Sequence, residues 1–165
     1  MNKQKINSWI LASRPRTLPA ALVPVMVGSA LAIYHGIFFP AYSIIALLCS
    51  ILIQIGTNFT NDLYDYLKGT DTAERKGPLR VLASGLISVN EMKWGIFLVF
   101  FTAFLLGLYL VYSVGLTILW IGIFSIVAGL AYTAGPFPLA YNGLGDLFVF
   151  IFFGIVGTVG TYYLH

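Results

Sequence analysis

The sequence predicts an all-α fold, a polytopic membrane helix bundle of about five transmembrane helices. Three observations carry that reading. First, 59% of the 165 residues are hydrophobic and only 9% are charged, against about 25% charged in an average soluble domain. A domain of this size has too much surface for its volume to hide so much apolar area from water. Second, the charges are clustered: Arg16 and Asp62 enclose 45 residues without Asp, Glu, Lys or Arg, Lys93 and Asp146 enclose 52, and 19 follow Asp146. Third, these runs lack the alternating polar face of a membrane β-barrel, and backbone in lipid must satisfy its own hydrogen bonds. A soluble domain, a coiled coil, a disordered chain and a disulfide scaffold are excluded.

A helical crossing needs about 20 apolar residues, so the three runs hold two, two and one crossings. They fall near 18–35, 41–61, 95–113, 116–133 and 147–164, within a single domain 1–165. In the first, Pro19 and Pro24 interrupt the apolar stretch and basic residues run up to Arg16, which argues against a cleaved leader. His35-Gly36 and Pro40 separate the first two crossings. Ser113-Val114-Gly115 leaves so little chain between the third and fourth that they should form a tight antiparallel hairpin. Gly135-Pro136-Phe137-Pro138 separates the last two, because proline cannot continue a helix.

Charge sets the expected orientation. Lys3, Lys5, Arg14 and Arg16 precede the first crossing, and Lys68, Arg75, Lys76, Arg80 and Lys93 lie between the second and third. Five crossings put both groups on one side, which the positive-inside rule makes cytoplasmic. The expectation is a protein of a bacterial plasma membrane, with its N-terminus and its site on the cytoplasmic face. Topology accounts for the basic balance, and no aromatic-interleaved basic patch suggests nucleic acid.

The chemistry concentrates between Gln54 and Asp71. At about 100° per residue, Gln54, Asn58, Asn61, Asp62 and Asp65 share one arc of about 100°. This polar stripe runs from the bilayer to the cytoplasmic mouth and ends in two carboxylates one turn apart. Gly69 is a natural helix stop, and Asp71 lies just past it, able to fold back to the same place. A solvated acidic helix end is the plain alternative. Against it, the macrodipole disfavours carboxylates at a helix C-terminus, and polar residues on one intramembrane face usually mark a site or pathway. Such hard oxygen donors suit Mg²⁺, which takes one or two carboxylates and leaves positions for water and substrate phosphates. The spacing of an EF-hand is absent.

Asn61-Asp62-x-x-Asp65-x-x-x-Gly69-x-Asp71 resembles the first aspartate-rich motif of the UbiA-type membrane prenyltransferases. Arg80-Val81-Leu82-Ala83-Ser84-Gly85-Leu86-Ile87-Ser88 resembles the segment that follows it there. The spacing before Asp71 is similar to the branch that prenylates 1,4-dihydroxy-2-naphthoate. So are Arg14-Pro15-Arg16-Thr17-Leu18-Pro19 and Tyr132-Thr133-Ala134-Gly135-Pro136-x-Pro138-Leu139-x-Tyr141-x-Gly143-Leu144-Gly145-Asp146.

The resemblance implies transfer of a polyprenyl group from its diphosphate to 1,4-dihydroxy-2-naphthoate, with loss of CO₂, giving demethylmenaquinone. Asp62 and Asp65, with Asn58 or Asn61 and with Asp71, would hold Mg²⁺ against the leaving diphosphate. Arg80 and Lys76 could clamp phosphate oxygens; ordinary cytoplasmic charge is the alternative for both, evenly weighed for Lys76 and the weaker reading for Arg80. Tyr132 and Tyr141 flank the next cytoplasmic loop, where they could line the acceptor pocket or face the allylic cation. For Tyr141 an interfacial aromatic belt is the preferred reading. Asp146 is expected to cap the last helix.

One departure stands out. Members of that family have nine membrane helices and a second aspartate-rich motif near the end of the sixth, whereas Asp146 is the only acidic residue here beyond Glu91. The expectation is an incomplete version of the nine-helix fold, inactive alone and completed by a C-terminal half. Other readings stay open: a related acceptor such as 4-hydroxybenzoate, a transporter subunit, or a non-catalytic membrane partner. An alcohol phosphotransferase would need glycine directly after the second Asp, where Tyr66 stands.

Overall fold

A computed structural model describes residues 3–69 and 80–165. Among them the chain is a bundle of α-helices with short 3-10 turns, one π-helical stretch at Phe150–Val156 and no strand. The helices are α1 (Lys3–Ala12), α2 (Pro19–Tyr34), α3 (Pro40–Leu67), α4 (Val89–Val114), α5 (Leu116–Ala131) and α6 (Gly145–Tyr163). Large apolar side chains such as Met26, Phe101, Phe104 and Trp120 point outward. That arrangement suits lipid and not water. The chain is an integral membrane protein.

Three helices, α3, α4 and α6, are each long and apolar enough to cross a bilayer. The α1 region and α2 pass the same test as a pair bent by 53°. Helix α5 is apolar but, like α2, has 16 residues, about 24 Å of rise against about 30 Å of hydrocarbon. Both are shorter than the charge-free runs suggested, because backbone breaks flank them. Arg14 takes a left-handed conformation (φ 50°) ahead of the Pro15–Thr17 turn, and Pro19 opens α2. Gly135, with φ 87°, keeps α5 from continuing.

The turns follow the residues expected to make them. Gly115 alone, at φ 121°, joins α4 to α5, so these helices form a tight hairpin. Ser88 and Glu91 form a capping box that starts α4. Helix α3, with 28 residues, is about 42 Å long and carries the polar stripe unbroken to Leu67, where Gly69 (φ 68°) stops it.

Small residues let the helices approach. A Cβ on Gly28 of α2 would sit 2.6 Å from the Thr158 carbonyl oxygen and 2.7 Å from Thr161 Cβ of α6. The ring of Phe100 on α4 occupies the space beside Gly56 of α3. With no hydrophobic drive between helices in lipid, such contacts supply the packing. At the charged end, Ala12, Phe59, Leu63, Val81, Leu82, Ile87 and Met92 form a buried cluster. It joins α1, α3, α4 and the 80–88 segment, with Trp9 tilted against Phe59 at 5.2 Å between ring centres. This cluster is the platform under the site. Further into the bundle lies an apolar cavity of about 170 Å³, bordered by Pro24, Cys49, Ile53, Leu108, Ile126 and Phe153 among others.

Candidate active site

The stripe on α3 is buried over its whole length: Gln54, Asn58, Asn61, Asp62 and Asp65 all face inward. Asp62 is 2% exposed and Asp65 7%. Burying two carboxylates at the wrong end of a helix dipole requires compensation, and Arg80 supplies it. Its Nη1 donates to Asp62 Oδ1 at 3.3 Å, while its Nη2 donates to Asp65 Oδ2. The guanidinium fork is thus spread over both carboxylates instead of closing on one. Val81, Leu82 and Ile87 anchor the segment carrying Arg80 in the cluster beneath. Lys5 ties it further, donating to the Leu86 carbonyl at 3.1 Å and to Glu91 at 2.7 Å.

The segment after α5 closes a second side. Thr133 donates its hydroxyl to Asn61 Oδ1 at 2.5 Å, and Lys68 donates to the Thr133 carbonyl at 3.1 Å. Tyr141 donates its hydroxyl to Asp65 Oδ1. The Lys68 ammonium stands 4.6 Å from the centre of the Tyr141 ring, a cation–π contact. Tyr141 therefore reaches the stripe and is more than a belt aromatic, although its ring is half exposed.

The break between α1 and α2 closes the third side. Asn58 Nδ2 donates to the Ser13 carbonyl at 2.9 Å and to Thr17 Oγ1 at 3.0 Å. Gln54 Nε2 reaches Thr17 at 3.4 Å. The amide of Asn58 thus pins the bent segment to α3.

Of the residues expected at the site, Asn58, Asn61, Asp62 and Asp65 share the buried face of α3; Arg80 joins the two aspartates, while Asn58 bonds the α1–α2 break and Asn61 bonds Thr133. Asp71 and Lys76 fall outside the described residues. Tyr132 points elsewhere: a Cβ on Gly145 would lie 3.1 Å from its hydroxyl, and its carbonyl accepts from the Ala140 N–H at 2.9 Å. Its neighbour Thr133 bonds to the stripe instead. Asp146 is not a cap, because Leu144 holds the N-cap position of α6 without a side-chain hydrogen bond. Asp146 sits in the first turn, where its charge favours the dipole. The sequence assigns no site role to Ser13, Thr17, Lys68 or Thr133. Thr17 and Thr133 stand inside the motifs quoted for the resemblance, and all four lie in segments flanking the stripe.

The donor set can be tested against a divalent cation. Asp62 and Asp65 offer carboxylate oxygens and Asn61 an amide oxygen from one helix face, the oxygen chemistry that Mg²⁺ takes. No group of three His, Cys, Asp or Glu gathers among the described residues. One or two carboxylates suffice when water and phosphate complete the shell, so the residues fit. Arg80 already puts positive charge between the same two oxygens' side chains.

The fold and site together define an all-helical membrane protein with a buried aspartate pair at one mouth of the bundle. The chain belongs to the UbiA prenyltransferase family, whose model matches residues 21–165. It is similar to the 1,4-dihydroxy-2-naphthoate octaprenyltransferase of Haemophilus influenzae, 42% identical over 99% of this chain and 56% of that protein. The enzyme of the same name from Escherichia coli is 39% identical over the same shares. Human UbiA prenyltransferase domain-containing protein 1 is 30% identical over 97% of this chain and 48% of its own. The chain spans about half the length of these curated relatives. No solved structure matches it.

Proposed function

We propose that this chain forms the diphosphate-binding half of a prenyltransferase that moves a polyprenyl group onto 1,4-dihydroxy-2-naphthoate. The observation that carries the reading is the pairing of Arg80 with both Asp62 and Asp65 at the buried end of α3. Such a cluster holds acidic oxygens and a fixed cation side by side, the two elements a diphosphate and its metal require. The names of the bacterial relatives support the acceptor.

In this reading Asp62 and Asp65, with Asn61, would hold Mg²⁺, joined by Asp71, which lies outside the described residues. Bound there, Mg²⁺ would supply positive charge for the diphosphate leaving group. Arg80, already desolvated, donates to phosphate oxygens and gains strength from the low dielectric around it. The apolar cavity deeper between the helices accommodates part of the prenyl tail beyond its first carbons. The allylic carbon–oxygen bond breaks with its electron pair going to diphosphate. The acceptor ring then bonds to that carbon and loses its carboxylate as CO₂, giving the hydroquinone form of demethylmenaquinone.

One carboxylate cluster is a modest counterweight to a diphosphate of about three negative charges. Turnover therefore needs the portion of the relatives' length that this chain does not cover, supplied in the same chain or as a complementary half. The site faces the cytoplasm, on the charge argument, with the N-terminus on that side and five crossings in all.

The acceptor test uses the completed enzyme in bilayers with Mg²⁺ and a polyprenyl diphosphate, offered 1,4-dihydroxy-2-naphthoate or 4-hydroxybenzoate in parallel. A prenylated naphthohydroquinone with matching CO₂ release is expected. A product from 4-hydroxybenzoate alone would overturn the acceptor, and uptake without pyrophosphate release would favour a transporter.

A further inference from the structure

We propose that Tyr141 is a positioning residue for Asp65, holding that carboxylate so that Arg80 stays shared between both aspartates and the pair stays open to a divalent cation. This rests on the metal-site reading above. Arg and carboxylate usually pair side by side, both guanidinium nitrogens on both oxygens of one acid. Here the two arms go to different acids. The phenol of Tyr141 donates to Asp65 Oδ1, leaving Oδ2 for Arg80 Nη2, and Arg80 Nη1 goes to Asp62.

The local fold is built to deliver that hydroxyl. Pro138 leads into the 3-10 turn Leu139–Asn142, which Asn142 closes with a 2.7 Å bond to the Pro138 carbonyl. Gly143, at φ 73°, ends it in a conformation that L side chains rarely adopt. The Ala140 N–H fastens the turn to the Tyr132 carbonyl at 2.9 Å, and Thr133 fastens the same segment to Asn61. The Lys68 ammonium over the ring draws electron density from the phenol and makes it a stronger donor. Without that hydroxyl, Asp65 Oδ1 is released to turn toward Arg80 and take both of its arms. Asp62 would then lose its bond to Arg80, and Arg80 would cover the oxygens a metal needs.

The test measures Mn²⁺ binding by electron paramagnetic resonance with the protein in lipid nanodiscs. Compared are the unaltered protein, Asp65→Asn, Tyr141→Phe, Arg80→Lys and the double variant Tyr141→Phe/Arg80→Lys. Circular dichroism confirms that helicity is kept. Tyr141→Phe should weaken Mn²⁺ by roughly tenfold or more, as loss of a group orienting a metal ligand commonly does. In the Arg80→Lys background the same change should matter less than threefold, because an ammonium cannot make the two-armed pair. Equal loss in both backgrounds would mean that Tyr141 acts only through packing, and no loss in either would also overturn the proposal. If Mn²⁺ binds but Asp65→Asn leaves it unchanged, or if the unaltered protein binds none, the metal-site reading itself fails and takes this inference with it.

Discussion

Replacing Arg80 with methionine keeps much of the side chain's length and removes its charge. Arg80 is 10% exposed and meets side chains 3% and 10% exposed, so little water is at hand to take its place. At 3.3 Å and an effective dielectric near 20, one such pair is worth roughly 5 kcal/mol of gross attraction. The desolvation of the charges offsets most of that. Breaking the set is different from never having built it, because two buried carboxylates lose the cation they were buried with. The expected net loss is about 3–5 kcal/mol at neutral pH, or a fall of roughly 6–20 °C in midpoint for a protein of this size. The assay is thermal unfolding in mild detergent, followed by circular dichroism with and without Mg²⁺. The variant should recover part of its stability as Mg²⁺ is raised, because a bound cation replaces the missing charge and stabilises by mass action. An Arg80→Met protein as stable as the original, and indifferent to Mg²⁺, would refute the argument that these carboxylates are buried around a required cation.

Gly28→Val should push α2 from α6, since its Cβ meets a backbone oxygen at 2.6 Å; a loss of about 1–3 kcal/mol is expected in the same melt. Thr133→Val keeps the volume but leaves Asn61 Oδ1 without its 2.5 Å donor, and should cost about 1–3 kcal/mol with little effect on membrane insertion. Cysteine at position 84 should be labelled by an impermeant reagent only from the cytoplasmic side, and cysteine at position 37 only from outside; the reverse pattern would invert the proposed topology.

Much of this was legible in the chain because it depends on neighbours in sequence. Charge-free runs mark where helices run, Gly69 and Gly115 sit where their positive φ angles are needed, and helical geometry alone puts Asn58, Asn61, Asp62 and Asp65 on one face. The α1–α2 bend is harder to read, because Arg14 adopts a left-handed conformation that arginine does not advertise. The seven π-helical residues Phe150–Val156 inside α6 carry no signal in an evenly apolar run. The partners of the stripe are long-range facts: Tyr141 stands 76 residues from Asp65, and Thr133 is 72 from Asn61. A tyrosine at a membrane interface looks the same in sequence whether or not its hydroxyl turns inward. Arg80 was expected to meet phosphate, and its engagement with Asp62 and Asp65 was not, because nothing in spacing tells whether a loop cation pairs first with substrate or with the protein.

The central claim is that Asp62 and Asp65 carry the departure of diphosphate, and pyrophosphate release reports it directly. The completed enzyme, in bilayers with Mg²⁺, polyprenyl diphosphate and 1,4-dihydroxy-2-naphthoate, should release pyrophosphate in step with prenylated product. Asp62→Asn and Asp65→Asn, each still inserted and folded, should each slow release by at least about 100-fold, the scale of a lost metal ligand or electrostatic partner in the transition state. Release from either variant at the unaltered rate, with the same dependence on Mg²⁺, would contradict the account.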